Sequence, residues 1–196
     1  MPRLQIGTTA PNLTPTDVTG VPVPVRSAAG LVHLQFRRFA GCPVCNLHLR
    51  SFALRHDELR AAGVLEAAVF HSPAAELSPY ADGLPFPLVA DPGKDLYRAY
   101  GVERGVRALL DPRVWPTVVR SLVRSSGLVL RGRERPPAAR PLGGRFGLPA
   151  DFLVGSDGRI LAAHYGAHAS DHWTVDQVLA LAAEHRTAPV ARPAGA

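Results

Sequence analysis

The chain is short of cysteine, methionine, lysine and aromatic side chains. Its 196 residues include two cysteines, one methionine and a single lysine, Lys94, and aromatics make up 7%. Two cysteines exclude a disulfide-stapled scaffold, and a chain of this length buries enough surface to hold its fold without disulfides or a structural metal. No apolar run approaches the ~20 residues of a membrane span, which excludes a helical channel or transporter. Residues 1–7, MPRLQIG, carry one charge and no apolar stretch, so the expected location is cytoplasmic. There is no internal repeat, no phosphate-binding glycine loop and no G-x-S-x-G nucleophile elbow.

What is present is a globular composition with an uneven basic charge. Hydrophobic residues are 46%, charged residues 19%, and the net charge is +6. Residues 104–145 hold ten arginines against Asp111 and Glu134, a net +8, which leaves the rest of the chain at −2. Such a segment suits a solvated basic face or an anionic partner. The aromatics are few and no nucleic-acid signature is present, so nucleic acid is not an expected partner.

The hydrophobic pattern alternates strands with helices. Residues 7–30 read as irregular chain, with at most an edge strand at Val21–Val25 because of Pro22 and Pro24. Leu31–Phe36 and Val64–Phe70 read as buried strands, with a helix from Pro43 towards the stop at Gly63 between them. Short helices are expected at Ala74–Tyr80 and Lys94–Tyr100, around a short strand at Pro87–Ala90. Asp151–Val154 and Ile160–Tyr165 flank the turn Ser156-Asp157-Gly158-Arg159 as a hairpin. Thr174 and Gln177 form a capping box opening a helix to about Arg186. In the basic segment, Trp115–Val123 mixes apolar residues with Arg120, and Pro112 and Pro116 are expected to break it. Arg104–Gly127 reads as a lid over the Cys42 site, a dimer contact through Trp115 and its apolar neighbours, or an interfacial membrane helix, and the two prolines argue against the last. Arg131–Gly147 reads as a loop.

Cys42 and Cys45 form C-x-x-C between a strand and a helix, the setting of a redox pair. Cys42 falls at the helix start, where free N–H groups and the macrodipole favour a thiolate. Pro43 suits the first helical turn, and Arg37 and Arg38 add positive potential. Cys42 is thus the expected attacking thiolate and Cys45 its resolving partner. A zinc site needs two further ligands that no spacing supplies. His48 lies nearly two turns from Cys42 and is a poor base. His33 reads as a core histidine, and the series His164, His168 and His172 is interrupted by Tyr165-Gly166.

Four stretches carry a family resemblance. They are Ile6–Asn12 (IGTTAPN), Leu31–Cys45, Asp91–Val102 (DPGKDLYRAYGV), and Gly147–Val154 with Ser156–Ile160. Together they resemble the thioredoxin-fold peroxiredoxins of the alkyl hydroperoxide reductase/thiol-specific antioxidant group. The resemblance spans about 4–102 and 146–186. It implies an α/β domain of thioredoxin fold over 1–186, a central mixed sheet with helices on both faces. A basic helical insertion lies at about 103–145 and a flexible tail at 187–196. It also implies that Pro149 occupies the cis-proline position, leaving the Leu148 backbone free for an incoming disulfide or peptide. An ordinary trans proline at a strand start is the other reading. The resemblance also implies an anion-stabilising arginine, a role open to Arg38 or Arg145 with no motif assigning either. The family's hydroxyl three residues before the cysteine is replaced, by Phe39 before Cys42 and by Cys42 before Cys45.

The expected function is thiol-based redox chemistry in which Cys42 attacks a peroxide or disulfide and Cys45 closes the bridge. A thioredoxin-like protein or small thiol would be the reductant. No metal or organic cofactor and no membrane are expected, and a homodimer is allowed. Disulfide exchange without peroxidase activity, a redox-inactive interaction module using the basic insertion, and a metal or persulfide carrier are the alternatives.

Overall fold

The computed structural model describes residues 2–102, 115–131, 141–142, 144 and 147–187. Five strands form one sheet in the order β3-β2-β1-β4-β5. The central strand β1 (Leu31–Phe36) runs parallel to β2 (Val64–Phe70), and β2 runs parallel to β3 (Leu88–Ala90). On its other side β1 pairs antiparallel with β4 (Ala150–Val154), which forms a hairpin with β5 (Ile160–Tyr165). This is the expected thioredoxin-type mixed sheet.

Alternation in β1 separates two environments. Val32, Leu34 and Phe36 face one core with Val69, Tyr97, Tyr100, Phe152 and Ile160. There Phe36 meets Tyr97 and Phe152 edge-on at ring separations of 5.1 and 5.6 Å, a favoured aromatic arrangement. The opposite core gathers Phe52, Leu59, Phe70, Leu88 and Val178 with both cysteines. It is covered by α1 (Pro43–Leu54), α2 (His56–Ala61) and α6 (Val175–Thr187), whereas α4 (Asp95–Ala99) covers the first core. A short α3 (Ala74–Leu77) and a 3-10 turn (Ser78–Tyr80) replace the single helix expected there.

Three expectations are corrected. The helix from Pro43 does not run unbroken to Gly63. At Arg55 the backbone leaves helical geometry (φ −117°, ψ 22°), and the Arg55 N–H turns back to Phe52 O. The freed guanidinium holds Glu58 and reaches Asp176 on α6 at 2.6 Å. Nor does Pro116 break the basic segment, because α5 (Trp115–Leu130) is one helix. Pro116 is its second residue, where no intrahelical N–H partner is required. Finally, the Leu148–Pro149 peptide is trans, as are the other described peptides. The Pro149 carbonyl instead accepts the Gly166 N–H at 2.9 Å. A Cβ at Gly166 would lie 2.3 Å from Asp171 O and 2.8 Å from the Pro149 ring, so glycine is required for this approach.

The capping box is as expected: Thr174 N–H donates to Gln177 Oε1 at 2.8 Å, and Gln177 N–H to Thr174 Oγ1 at 3.3 Å. Pro112, Arg145, most of the Arg131–Gly147 loop and the tail beyond Thr187 lie outside the described residues.

Candidate active site

Past β1 the chain is fastened to β2 before it turns into α1. Arg37 N–H donates to Val69 O at 2.8 Å, His71 N–H to Arg38 O, and Ala40 N–H to Ser72 Oγ. The Tyr97 hydroxyl reaches the carbonyls of Arg37 and Val69 from below. Gly41, at φ +74°, makes the sharp turn that a side chain would oppose. Cys42 follows as the N-cap of α1, with Pro43 at the first helical position.

Cys42 Sγ accepts from Cys45 N–H at 3.4 Å and from Arg38 Nη2 at 3.0 Å. The two cysteines approach to 2.9 Å and are not bonded. Of the four site residues expected from sequence, Cys42, Cys45 and Arg38 are thus brought together. Pro149 stands at the entrance of β4, in contact with the Gly166 turn.

The electrostatics set the two thiols apart. Burial, and then the hydrogen bond to Cys45, push Cys42 well above the ordinary thiol range. Burial opposes ionisation of Cys45 too, but the Cys42 S–H and the Arg38 charge and backbone N–H outweigh it and bring Cys45 down to about 6. The two thiols titrate as a pair, and in this buried arrangement the causes favour ionisation of Cys45 over Cys42.

Both sulfurs are enclosed. Cys42 is 0% and Cys45 3% exposed. Both belong to the core that includes Phe39, Val44, Phe70 and Val178, against which Val118 of α5 packs. Helix α5 lies along α1, and Gly147 sits 3.7 Å, at its Cβ position, from the Arg38 side chain. A narrow cleft of about 10 Å³ remains between α1 and α5, lined by Pro43, Asn46, Arg50, Ser121, Arg124 and Ser125 among others. It reaches the residue next to Cys42.

Beneath the dithiol lies a buried charge network that sequence reading missed. Alternation puts His33, Gln35 and Arg37 on the α1 side of β1. Register brings Glu66 beside His33 and Asp151 beside Gln35. Arg37, 0% exposed, donates to Asp151 Oδ1 and His48 Nε2 at 2.7 Å each, and to Gln35 Oε1 at 2.8 Å. His33 bridges Glu66 at 2.8 Å and Asp151 at 3.2 Å. Burial disfavours its proton, but the two carboxylates outweigh burial and raise its pKa to about 9. Against burial, Arg37 and His33 hold the Asp151 carboxyl well below the usual carboxylate range. His48, by contrast, is kept neutral by burial and by Arg37. His172 packs on it at a ring separation of 3.6 Å and is lowered to about 4, by burial first and Arg37 second. A charged or amide residue inside an otherwise apolar strand, as in VLEAAVF and ADFLV, is the sequence signal for such a network.

One pH dependence follows. His33 is raised from 6.5 to about 9 on folding, so its contribution is fully present below 6.5 and is lost as pH rises through 9. The unfolding free energy is expected to fall by roughly 3 kcal/mol across that window. Urea titrations at pH 7 and pH 10 measure it, and a flat profile would remove the buried imidazolium from the account.

The chain's family is decided by a match outside the cysteines. The AhpC/TSA antioxidant enzyme family matches residues 51–168, more than half of the chain.

This chain belongs to the AhpC/TSA antioxidant enzyme family.

No curated protein sequence matches this AhpC/TSA enzyme. Solved structures do share its fold. Peroxidoxin BcpB from Mycobacterium tuberculosis superposes with a TM-score of 0.67 at 18% identity, over 94% of this chain and 100% of that one. Xanthomonas campestris peroxiredoxin Q gives 0.62 at 17% identity, over 93% and 96%. A C45S mutant of peroxiredoxin 6 from Arenicola marina gives 0.66 at 14% identity, over 93% and 74%. This AhpC/TSA enzyme is therefore a peroxiredoxin-like oxidoreductase. Its family implies peroxide substrates and a thioredoxin-like reductant.

Proposed function

We propose that this chain reduces hydroperoxides through Cys42, with Cys45 as base and then resolving thiol and Arg38 as the cation beside the reacting sulfur. The observation that carries this reading is the unbonded 2.9 Å approach of the two cysteines at the start of α1, with Arg38 on Cys42. Cys45 takes the Cys42 proton as Cys42 Sγ attacks the outer peroxide oxygen. The O–O bond breaks, Cys42 becomes a sulfenic acid, and the proton now on Cys45 passes to the departing alkoxide to give an alcohol. Cys45 then attacks the Cys42 sulfur, and hydroxide leaves as water by taking a proton from solvent. One peroxide and two thiols thus yield an alcohol, water and a Cys42–Cys45 disulfide. A thioredoxin-like protein or small thiol returns two electrons to that bridge, which calls for a reducing compartment such as the cytoplasm.

Mass spectrometry after one equivalent of hydroperoxide tests the proposal. The expected product is about 2 Da lighter, with the loss confined to the peptide holding Cys42 and Cys45. Thiols that resist peroxide but form the bridge with a disulfide donor would favour disulfide exchange instead.

A further inference from the structure

Helices α1 and α5 meet across the narrow cleft beside the dithiol, and each brings an arginine to it. On α1 the lining residues are Pro43, Asn46, Leu47 and Arg50, spaced i, i+3, i+4 and i+7 along one face. On α5 they are Ser121, Arg124 and Ser125, again on one face. Ser121 and Ser125 are buried, whereas Arg50 and Arg124 are exposed, so the two cations stand on the solvent side of the cleft. Neither helix contains an aspartate or a glutamate. Among the described residues neither arginine is in an ion pair. Two like charges brought to one cleft repel, and an anion between them is attracted from both sides.

We propose that Arg50 and Arg124 bind the carboxylate of an acidic organic hydroperoxide, so that the α1–α5 cleft selects this substrate class for Cys42. The inference rests on the peroxidase reading of the dithiol. Three features choose the ligand. A guanidinium fork matches a carboxylate in its plane, and here one fork comes from each helix. The space is about 10 Å³, room for a group about the size of one water, which suits a carboxylate better than the bulkier phosphate. Between the arginines and Cys42 the cleft presents Pro43 and Leu47, an apolar stretch for a hydrocarbon chain. Arg50 follows Pro43 by seven positions, about 10 Å along the helix axis. The substrate is thus a hydroperoxide whose carboxylate lies about 10 Å from its peroxy group. Arg38 is a separate cation, already committed to the Cys42 sulfur.

Octanoate, which has the carboxylate and the chain but no peroxide, is the probe, and octanamide is its uncharged counterpart. Calorimetry on the reduced protein in about 0.05 M salt is expected to show octanoate binding at least tenfold tighter than octanamide, weakening as salt is raised. Octanoate should also raise the KM for cumene hydroperoxide and leave kcat alone, because it occupies the route to Cys42. The double variant Arg50→Gln/Arg124→Gln changes two exposed positions. It should keep its circular dichroism and lose about tenfold or more in octanoate affinity, with each single variant losing less. Equal binding of octanoate and octanamide, undiminished affinity in the double variant, or octanoate binding with no effect on KM would overturn the proposal. So would inorganic phosphate binding tighter than octanoate, since the cleft would then hold anions without regard to the chain. Calorimetry needs no thiol chemistry. Octanoate binding by a protein that turns over no hydroperoxide would overturn the peroxidase reading, and the substrate assignment with it, while leaving the anion site in place.

Discussion

Replacing Cys42 with serine is expected to lower hydroperoxide turnover by about 10³-fold or more, the scale of losing a nucleophile. The hydroxyl would still sit at the N-cap of α1 and accept the Cys45 N–H, so the fold should hold. Cys45→Ser separates the two sulfurs' roles. It removes the base and the resolving thiol, and Cys42, with Arg38 still beside it, should react slowly and stop at a sulfenic acid about 16 Da heavier. The pair of variants is read by single-turnover peroxide consumption and intact mass. If Cys42→Ser retained fast peroxide consumption and Cys45→Ser lost it entirely, Cys45 would be the nucleophile and the assignment would reverse. That outcome is a sharp one to look for, because Cys45 is the thiol whose pKa is lowered, to about 6.

Asp151→Ala is expected to destabilise the fold by about 3–5 kcal/mol. The carboxylate stands between two buried cations, His33 at 3.2 Å and Arg37 at 2.7 Å, and Oδ2 also accepts the Trp173 N–H ahead of α6. Truncation leaves Arg37 buried with its charge unanswered and strips His33 of one of its two carboxylates. Asp151→Asn keeps the shape and an acceptor, so its loss should be smaller. Urea midpoints at constant m-value measure both. A contrast is available in Asp176→Ala, which breaks an exposed contact to Arg55 and should barely move the midpoint. Equal losses at Asp151 and Asp176 would show that the buried network contributes no more than a surface pair.

Local patterns were legible in the sequence, and features assembled from distant segments were not. β1, β2 and β5 stand where their apolar runs place them, and the Thr174–Gln177 box opens α6 as read. The dithiol and Arg38 were legible because all three residues lie within one strand-to-helix turn. The charge network was not, because Glu66 and Asp151 come from different strands and meet His33 only through sheet register. Burial of the thiols was equally hidden. The core they join includes Phe70 of β2 and Val178 of α6 and has Val118 of α5 packed against it, residues far from Cys42 in sequence. Pro116 misled because a proline breaks or starts a helix according to its distance from the first turn, and that start depends on where α5 packs.

The antiparallel seam between β1 and β4 sets an order on biosynthesis. His33 and Asp151 are separated by 118 positions, and Arg37 and Asp151 by 114. Closing so long a loop is entropically slow compared with the nearby pairing of β1 and β2. On a ribosome, the first half of the sheet emerges with its two buried cations lacking their shared counter-ion. The hairpin that carries the counter-ion follows only after more than a hundred further residues. Maturation of the redox centre thereby waits for the synthesis of β4, and a nascent chain cut before β4 would hold both thiols but not the ionic floor beneath them.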